Sequence, residues 1–241
     1  MQQWPVHDIA PEVRVRVVRE MAPLPAALEA EIDRLWDAAQ VRMNGKLFNG
    51  RVFSADVITP HLICGHWTEF RRIVAQMDCH ELFRVIGARP LAVGGVIVGP
   101  DGVVFGRRPA RAIYQAGEWQ LPPAGSVDPG AGRAEGVVDI VAQLLVELEE
   151  ELGMPAEAVR EPRALGIVEH GGSHVLDLGI FARTELRADE ILAAHRAGGN
   201  GEYDPVRVVP VAELPAFLAQ AGAMLNHQAP VFLRRAGVLR D

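Results

Sequence analysis

The chain has 241 residues, a formal net charge of -7 and a hydrophobic content of 49%. This length allows one large domain or two small ones, and the apolar content is enough for a sizeable core. The negative charge argues against a nucleic-acid partner, which would require a basic surface. It still allows a phosphorylated small molecule, because such a ligand needs only a few local cations.

The start of the chain and its two cysteines predict the compartment. MQQWPVHD has no positively charged segment followed by an apolar one, so we expect no signal peptide. No apolar run approaches the length of a membrane span. Cys64 and Cys79 match no metal-binding or redox spacing. We therefore expect a cytoplasmic protein without a membrane partner; the sequence does not decide between a monomer and a homodimer.

The first section, residues 1–88, is expected to form a small α/β unit that shapes a substrate pocket or serves in dimerisation. Alternating valines and a helical spacing of apolar residues support this interpretation. Its expected elements are a strand over 13–18, a helix that opens at Pro25, a strand region over 52–64 and a helix with Thr68 as its N-cap.

The second section, residues 89–241, begins at Arg89-Pro90 and reads as a larger α/β domain. A tight Asp101-Gly102 turn predicts an antiparallel hairpin at its start. The expected elements are strands over 91–98 and 103–108, a helix over 134–152, strands over 164–170, 174–184 and 206–211, and a helix near 212–220 with a partly helical tail.

The segment VELEEELG (146–153) places four glutamates at the C-terminal end of a predicted helix. Carboxylates are disfavoured there, because that end carries partial negative charge. No lysine or arginine lies three or four residues from the three that share a face, Glu147, Glu150 and Glu151, whereas Glu149 points away. A solvated acidic face is one explanation. A divalent cation such as Mg²⁺, which takes carboxylate oxygens, is the other.

The glycine-rich loop and the helix ending in E-x-x-E-E-x-G resemble the Nudix box, G-x5-E-x7-R-E-U-x-E-E-x-G-U, where U is aliphatic. The matching residues are Glu147, Glu150, Glu151, Gly153 and Met154. The segment WQLPPAG (119–125) resembles the W-x-L-P-G-G that precedes the box in many members.

The box departs from the family pattern in its first half. Val146 and Val138 stand where the family has an arginine and its paired glutamate. Gly125 lies too far upstream, behind an apparent seven-residue insertion, and Gly132 has the right spacing without the loop motif. The box is therefore degenerate, with its metal-ligand half intact.

The resemblance implies an α/β/α sandwich with a mixed sheet and Mg²⁺-dependent, or Mn²⁺-dependent, hydrolysis of a nucleoside diphosphate linked to another group. It also implies further site residues. The implied metal ligands beyond the three glutamates are Glu202, with Asp204 as second choice, and a backbone carbonyl near Ala124 or Gly125. One of the glutamates is the implied general base. The implied phosphate-binding residues are Arg107, Arg108 and Arg111. His170 and His174, near the predicted pocket, are expected to be structural or solvated.

The first section resembles one subgroup of the family. I-x-x-L-W (32–36), LFNGRVFS (47–54) and HWTEFRR (66–72) are similar to the N-terminal part of Nudix enzymes that split UDP-glucose and UDP-galactose. A UDP-sugar, giving UMP and a sugar 1-phosphate, is thus the preferred substrate. The alternatives are a nucleotide-sugar binding module with weak or no activity, and a hydrolase of ADP-ribose or coenzyme A-type substrates.

Overall fold

The computed structural model describes residues 4–112 and 115–240. Within these residues the chain forms two mixed sheets and seven α-helices. The strands are β1 (Val6–His7), β2 (Arg14–Val17), β3 (Arg51–Ile58), β4 (Leu62–Glu69), β5 (Leu91–Gly99), β6 (Gly102–Arg107), β7 (Trp119–Gln120), β8 (Ala124–Ser126), β9 (Val137–Val138), β10 (Val159–Glu169), β11 (Leu176–Thr184) and β12 (Val206–Val209). The helices are α1 (Ala26–Arg42), α2 (Phe70–Asp78), α3 (Phe83–Ile86), α4 (Ile140–Leu152), α5 (Ala188–Gly198), α6 (Leu214–Ala221) and α7 (Gln228–Arg235).

The main sheet has the order β1-β10-β11-β5-β6-β12, with β7 beside β6 and β8 beside β5. β11 and β5 run parallel, and the other pairs are antiparallel. The Asp101-Gly102 turn joins β5 and β6 as the sequence predicts, pairing Val98 with Val103.

Successive residues of the central strands face opposite layers, as the pleat of a strand requires. Val96 and Phe105 pack with residues of α6 and α7 on one face. Ile97 and Val104 pack with residues of α4 and α5 on the other face. The predicted α/β/α sandwich with a mixed sheet is therefore confirmed.

The smaller sheet has the order β3-β4-β2-β9, with β4 and β2 parallel. The two sheets exchange strands along the chain: β1 pairs with β10 of the main sheet, and β9 pairs with β2 of the smaller one. A single core joins them, in which Val15 and Phe53 pack with Leu91, Val93 and Leu144. This core places the smaller sheet beside α4.

Three expected elements differ from the structure. The strand region over 52–64 is a hairpin of β3 and β4, because the Thr59 amide closes a turn by donating a hydrogen bond of 2.9 Å to the Leu62 carbonyl. Thr68 lies within β4, and Glu69 is the N-cap of α2. α4 begins at Ile140 rather than 134.

The late start of α4 has a local cause. Glu135 and Gly136 have positive φ angles, and β9 follows them directly. Asp139 then caps the helix by accepting a hydrogen bond from the Ala142 amide at 2.9 Å. In the described residues no helix is both long enough and apolar enough to cross a membrane.

Candidate functional site

The orientation of α4 is set by its leucines and its C-terminal glycine. Leu144, Leu148 and Leu152 are buried, which turns the flanking positions toward the protein body. Gly153 ends the helix with a φ of 64°, and its amide donates to the Glu149 carbonyl at 3.0 Å. The glutamates between these anchors are thereby held at fixed positions.

Glu151 lies almost wholly inside the protein, with 1% of its surface exposed. Its Oε2 accepts a hydrogen bond of 2.8 Å from the backbone amide of Ala124 in β8. Burial raises the pKa of Glu151 to about 9. The hydrogen bond from the Ala124 amide and the charge of Arg108 lower this pKa, whereas the carboxylates of Glu202 and Glu147 raise it further. A buried carboxylate of this kind is stable as an anion only beside a positive charge.

Glu147 lies one helical turn before Glu151 and contacts the same loop. Its Oε1 accepts a hydrogen bond of 2.8 Å from Gln143 Nε2, whose Oε1 in turn accepts from the Asp128 amide at 3.3 Å. Burial raises the pKa of Glu147 to about 7, opposed by the Gln143 bond and assisted by Glu150, Glu202 and Asp128. These carboxylates therefore share one electrostatic environment.

Gly125 is the backbone that touches Glu147. A Cβ atom added there would lie 2.0 Å from Glu147 Oε1, so any larger residue would displace the carboxylate. Gly125 belongs to β8 and pairs with Val93 of β5. The carboxylate thus packs directly on the main chain of the loop that the sequence singled out.

Glu202 reaches the site from the loop before β12 and is held by Arg108 in an ion pair. The Arg108 guanidinium also lies 5.8 Å from the centre of the buried Tyr203 ring. Burial lowers the pKa of Arg108, but the hydrogen bond to Glu202 and the negative charges of Glu202, Tyr203 and Glu151 together raise it more, so the net shift is upward. Arg108 therefore stays charged close to Glu202 and Glu151.

The remaining candidates lie farther out. Glu150 is exposed, although its charge still raises the pKa of Glu147. Glu149 is exposed as well. Arg107 Nε donates to the Gly117 carbonyl at 3.0 Å, and Arg111 lies exposed on a turn. Arg108 is the arginine of the three that the fold brings to the carboxylates.

The donor chemistry suits a divalent cation, although residues 4–112 and 115–240 contain no ready-made cluster of three acidic, histidine or cysteine side chains for one. Glu151 supplies a buried carboxylate and Glu147 a half-buried one, and neither accepts a hydrogen bond from a lysine or arginine of the described residues. Mg²⁺ is commonly bound by one or two carboxylates, with the rest of its shell from phosphate and water. The pair fits such an ion.

Two polar residues of the site, Gln143 and Asp128, are not among those predicted from the sequence. Gln143 positions Glu147, and its spacing of four residues on one helix is a signal that could have found it. Asp128 raises the pKa of Glu147 from a loop. Nothing local in the sequence relates Asp128 to the helix, because only the folded loop brings the two together.

The two histidines near the predicted pocket belong to a separate cluster. His174 Nδ1 lies 2.9 Å from Glu169 Oε1, and Phe83 stacks on the His174 ring at 3.6 Å. His170 Nδ1 accepts hydrogen bonds from the amides of Gly172 and Ser173. Both rings therefore have structural roles, as expected.

Neither the family models nor the curated proteins searched match this chain. Similarity is found among solved structures. A MutT protein from Methanosarcina mazei Go1 is 20% identical, aligns over 61% of this chain and 93% of its own, and has a TM-score of 0.42.

Two further structures are similar over the same share of the chain. A Nudix hydrolase from Nitrosomonas europaea is 18% identical, with 62% of this chain and 86% of its own aligned and a TM-score of 0.41. A MutT Nudix hydrolase from Burkholderia pseudomallei is also 18% identical, with 61% and 96% aligned and a TM-score of 0.40. At identities below 25% and TM-scores below 0.5, these likenesses carry no assignment of family or activity.

Proposed function

We propose that this chain is a Nudix-type hydrolase that cleaves the diphosphate linkage of a nucleoside diphosphate joined to a second group, with Mg²⁺ or Mn²⁺ as its metal. One observation carries the proposal. Glu147 and Glu151, one helical turn apart, point into the protein with raised pKa values and without a basic hydrogen-bond partner among the described residues. Two such carboxylates destabilise the fold at neutral pH unless a cation compensates them.

The chain would hold the cation through Glu147 and Glu151, with Glu150, Glu202 and the Gly125 carbonyl as further ligands. When bound, the ion neutralises a diphosphate and lowers the pKa of an attacking water. Gln143 keeps Glu147 Oε1 oriented and leaves Oε2 of the same carboxylate free.

The remaining steps follow from the charges around the ion. One of the three helix glutamates takes the proton of the attacking water. The oxygen of that water bonds to one phosphorus as the bridging P–O bond breaks, and the departing phosphate leaves with the second group. Arg108, which the fold already holds beside the carboxylates, meets the phosphate charge. Arg107, at the end of β6, and Arg111, on the turn that follows, are further candidates for phosphate contact.

The preferred substrate is a UDP-sugar, giving UMP and a sugar 1-phosphate. The support is the resemblance of segments 32–36, 47–54 and 66–72 to enzymes of that kind. In this proposal residues 89–241 form the hydrolase part and residues 1–88 form a wall of its pocket. A homodimer, a cytoplasmic location and the absence of nucleic-acid and membrane partners remain predictions from the sequence.

A substrate panel tests the function. The purified chain is incubated with Mg²⁺ and UDP-glucose, UDP-galactose, ADP-ribose, NADH or coenzyme A, and mononucleotide release is measured. We expect release from a UDP-sugar and a loss of at least roughly a hundredfold in kcat for Glu151→Gln, because the variant keeps the shape but not the charge. Glu149→Gln is the matched control, since it removes an exposed carboxylate of the same helix, and it should behave like wild type.

The outcomes separate the hypotheses. If ADP-ribose is cleaved far faster than the UDP-sugars, the proposed substrate is wrong and the hydrolase stands. If no substrate is turned over and wild type equals Glu151→Gln, the enzymatic proposal is overturned. Calorimetric binding of a UDP-sugar in that case would support the alternative of a binding module.

A further inference from the structure

A pocket of about 410 Å³ joins the first section of the chain to Glu147. Its lining includes Phe48, Arg51 and Phe70 from the first section and Asp128 and Glu147 from the second. The volume lies within the range of about 300–1,000 Å³ that is usual for small-molecule sites. The pocket opens directly beside the carboxylate that we place at the metal.

Phe48 projects into solvent from a backbone that is held in place. Its side chain is 84% exposed. Leu47 exchanges two hydrogen bonds with the Gln40 side chain, at 2.8 and 3.1 Å. On the other side, Asn49 Oδ1 accepts from the Arg71 amide and the Gly50 carbonyl accepts from the Phe70 amide, both at 2.9 Å. A large apolar ring is thus presented to solvent by a fixed loop, where it is available to stack on a ligand in the pocket.

The ring of Phe48 lies over the backbone of Gly50, which has no side chain. A Cβ atom added at Gly50 would lie 3.2 Å from Phe48 Cε1, so the ring packs close over the glycine backbone. Phe70 supplies a second aromatic ring to the same pocket and is itself braced edge-on by Trp36 at 6.3 Å between centroids. The two rings supply the aromatic part of the pocket lining.

The same pocket is lined by two further charged side chains, Arg51 and Asp128. Arg51 is exposed, and no carboxylate of the described residues forms an ion pair with it. Asp128 Oδ1 accepts from the Gly130 amide at 2.6 Å, which leaves Oδ2 able to accept from a ligand hydroxyl or N–H. The lining therefore combines aromatic, cationic and anionic groups.

A main-chain hydrogen bond joins the two segments of the chain that line the pocket. The Phe53 amide in β3 donates to the Val127 carbonyl at 2.8 Å, immediately before Asp128. The strand that begins at Arg51 is thus fixed to the loop that carries Asp128. The pocket is a built feature of the interface between the two sections.

Resting on the proposed function, we infer that this pocket binds the nucleoside end of the substrate, with the base stacked on Phe48 and a phosphate beside Arg51. A base can stack on the ring of Phe48, since every base offers a π-face to a phenyl ring. Arg51 would neutralise the phosphate that is farther from the bond being cleaved. Asp128 would accept from the ribose or the base.

Equilibrium binding tests the subsite without requiring turnover. Phe48→Trp places a fluorescent ring at the stacking position, and its emission should fall in a saturable way on addition of UDP or ADP. Val211→Trp, at an exposed position outside the pocket, is the matched control and should show no such change. Pyrophosphate, which lacks the nucleoside, should leave the emission of Phe48→Trp unaltered.

Affinity separates the two residues. Phe48→Ala should raise the Kd for UDP roughly tenfold, which corresponds to about 1.4 kcal/mol, and leave the Kd for pyrophosphate unchanged. Arg51→Gln should weaken both ligands. Circular dichroism should show both variants folded, because both side chains are exposed.

The failures of the two proposals are distinct. Unaltered UDP affinity in Phe48→Ala, or no UDP binding by wild type, overturns the subsite. Hydrolysis that depends on Glu151 with an unchanged KM in the Phe48 and Arg51 variants overturns it as well and leaves the function intact. Tight UDP binding that requires Phe48, without hydrolysis of any substrate, supports the subsite and contradicts the enzymatic proposal.

Discussion

Glu147 and Gly125 show how a single backbone atom shapes the candidate site. The carboxylate occupies the space that a side chain at position 125 would need. The same carboxylate is held from its own helix by Gln143. Its position is therefore set from two sides, and a small change on either side should move it.

Gly125→Ala is expected to lower kcat/KM on the order of tenfold to a hundredfold, because a displacement of about 1 Å at a reacting group has effects of that size. The fold should survive, since only the end of one side chain has to move. Gly94→Ala is the control: Gly94 pairs with Ala124, yet an added Cβ there meets nothing within 4 Å. Steady-state kinetics of both variants beside their melting temperatures check this, and full activity of Gly125→Ala would contradict it.

At the scale of elements, α4 is attached at both of its ends. Before it, β9 pairs with β2 of the smaller sheet, with Val138 opposite Val15. After it, Gly153 packs against α5, where an added Cβ would lie 2.4 Å from the Ala194 carbonyl oxygen. The contact between α4 and α5 thus needs a glycine for space as well as for its backbone angle.

Gly153→Ala should therefore destabilise the protein by more than the backbone angle alone requires. Gly201 has a φ of 81° and meets nothing within 4 Å, so Gly201→Ala should cost roughly 1 kcal/mol from conformation only. Gly153→Ala should lose about 1–3 kcal/mol beyond that, because the packed helices have to separate. Urea denaturation measures the free energy of unfolding of both variants. Equal decreases in the two would show that α4 and α5 can separate at that contact without a cost in stability.

The sequence predicts some elements well because their signals are local. The turn at Asp101-Gly102 and the apolar spacing of α4 depend on neighbours within a few residues. The start of α4 is predicted poorly, since β9 exists only through pairing with β2. The elements expected from the sequence do not include α5.

The candidate site divides in the same way. Glu147 and Glu151 can be found because their spacing puts them on one helix face. Their burial, the Ala124 hydrogen bond and the approach of Asp128 require the folded loop 121–130. The pocket beside Phe48 requires both sections of the chain, so no single segment of the sequence indicates it.

At the scale of the whole molecule, stability depends on a partly buried acid that forms no ion pair among the described residues. Asp177 lies in β11, between β10 and β5. Part of the residue remains accessible, but its Oδ2 is shut off from solvent and has no hydrogen-bond partner. Burial raises the pKa of Asp177 to about 7.

This shift gives a pH dependence with a definite sign. Between about pH 4 and pH 7 the unfolded chain has lost the proton that the folded chain retains, so stability falls as pH rises through that window. Asp177→Asn should remove this contribution and be more stable than wild type at pH 8, by at most about 4 kcal/mol, with a smaller difference at pH 5. Denaturation at both pH values measures it. A difference that does not change with pH would show that Asp177 is ionised in the fold at low pH.

The attachment of α4 at both ends has a consequence for how ligands are met. α4 is joined to the smaller sheet at one end and packs against α5 at the other, so both ends of the helix are held in place. If the proposed function holds, its glutamates are already positioned before a cation or a phosphate binds, so little binding energy is spent on arranging them. Arg51 lies in β3, a strand of the same smaller sheet. A ligand that enters beside Phe48 therefore contacts the sheet to which α4 is joined.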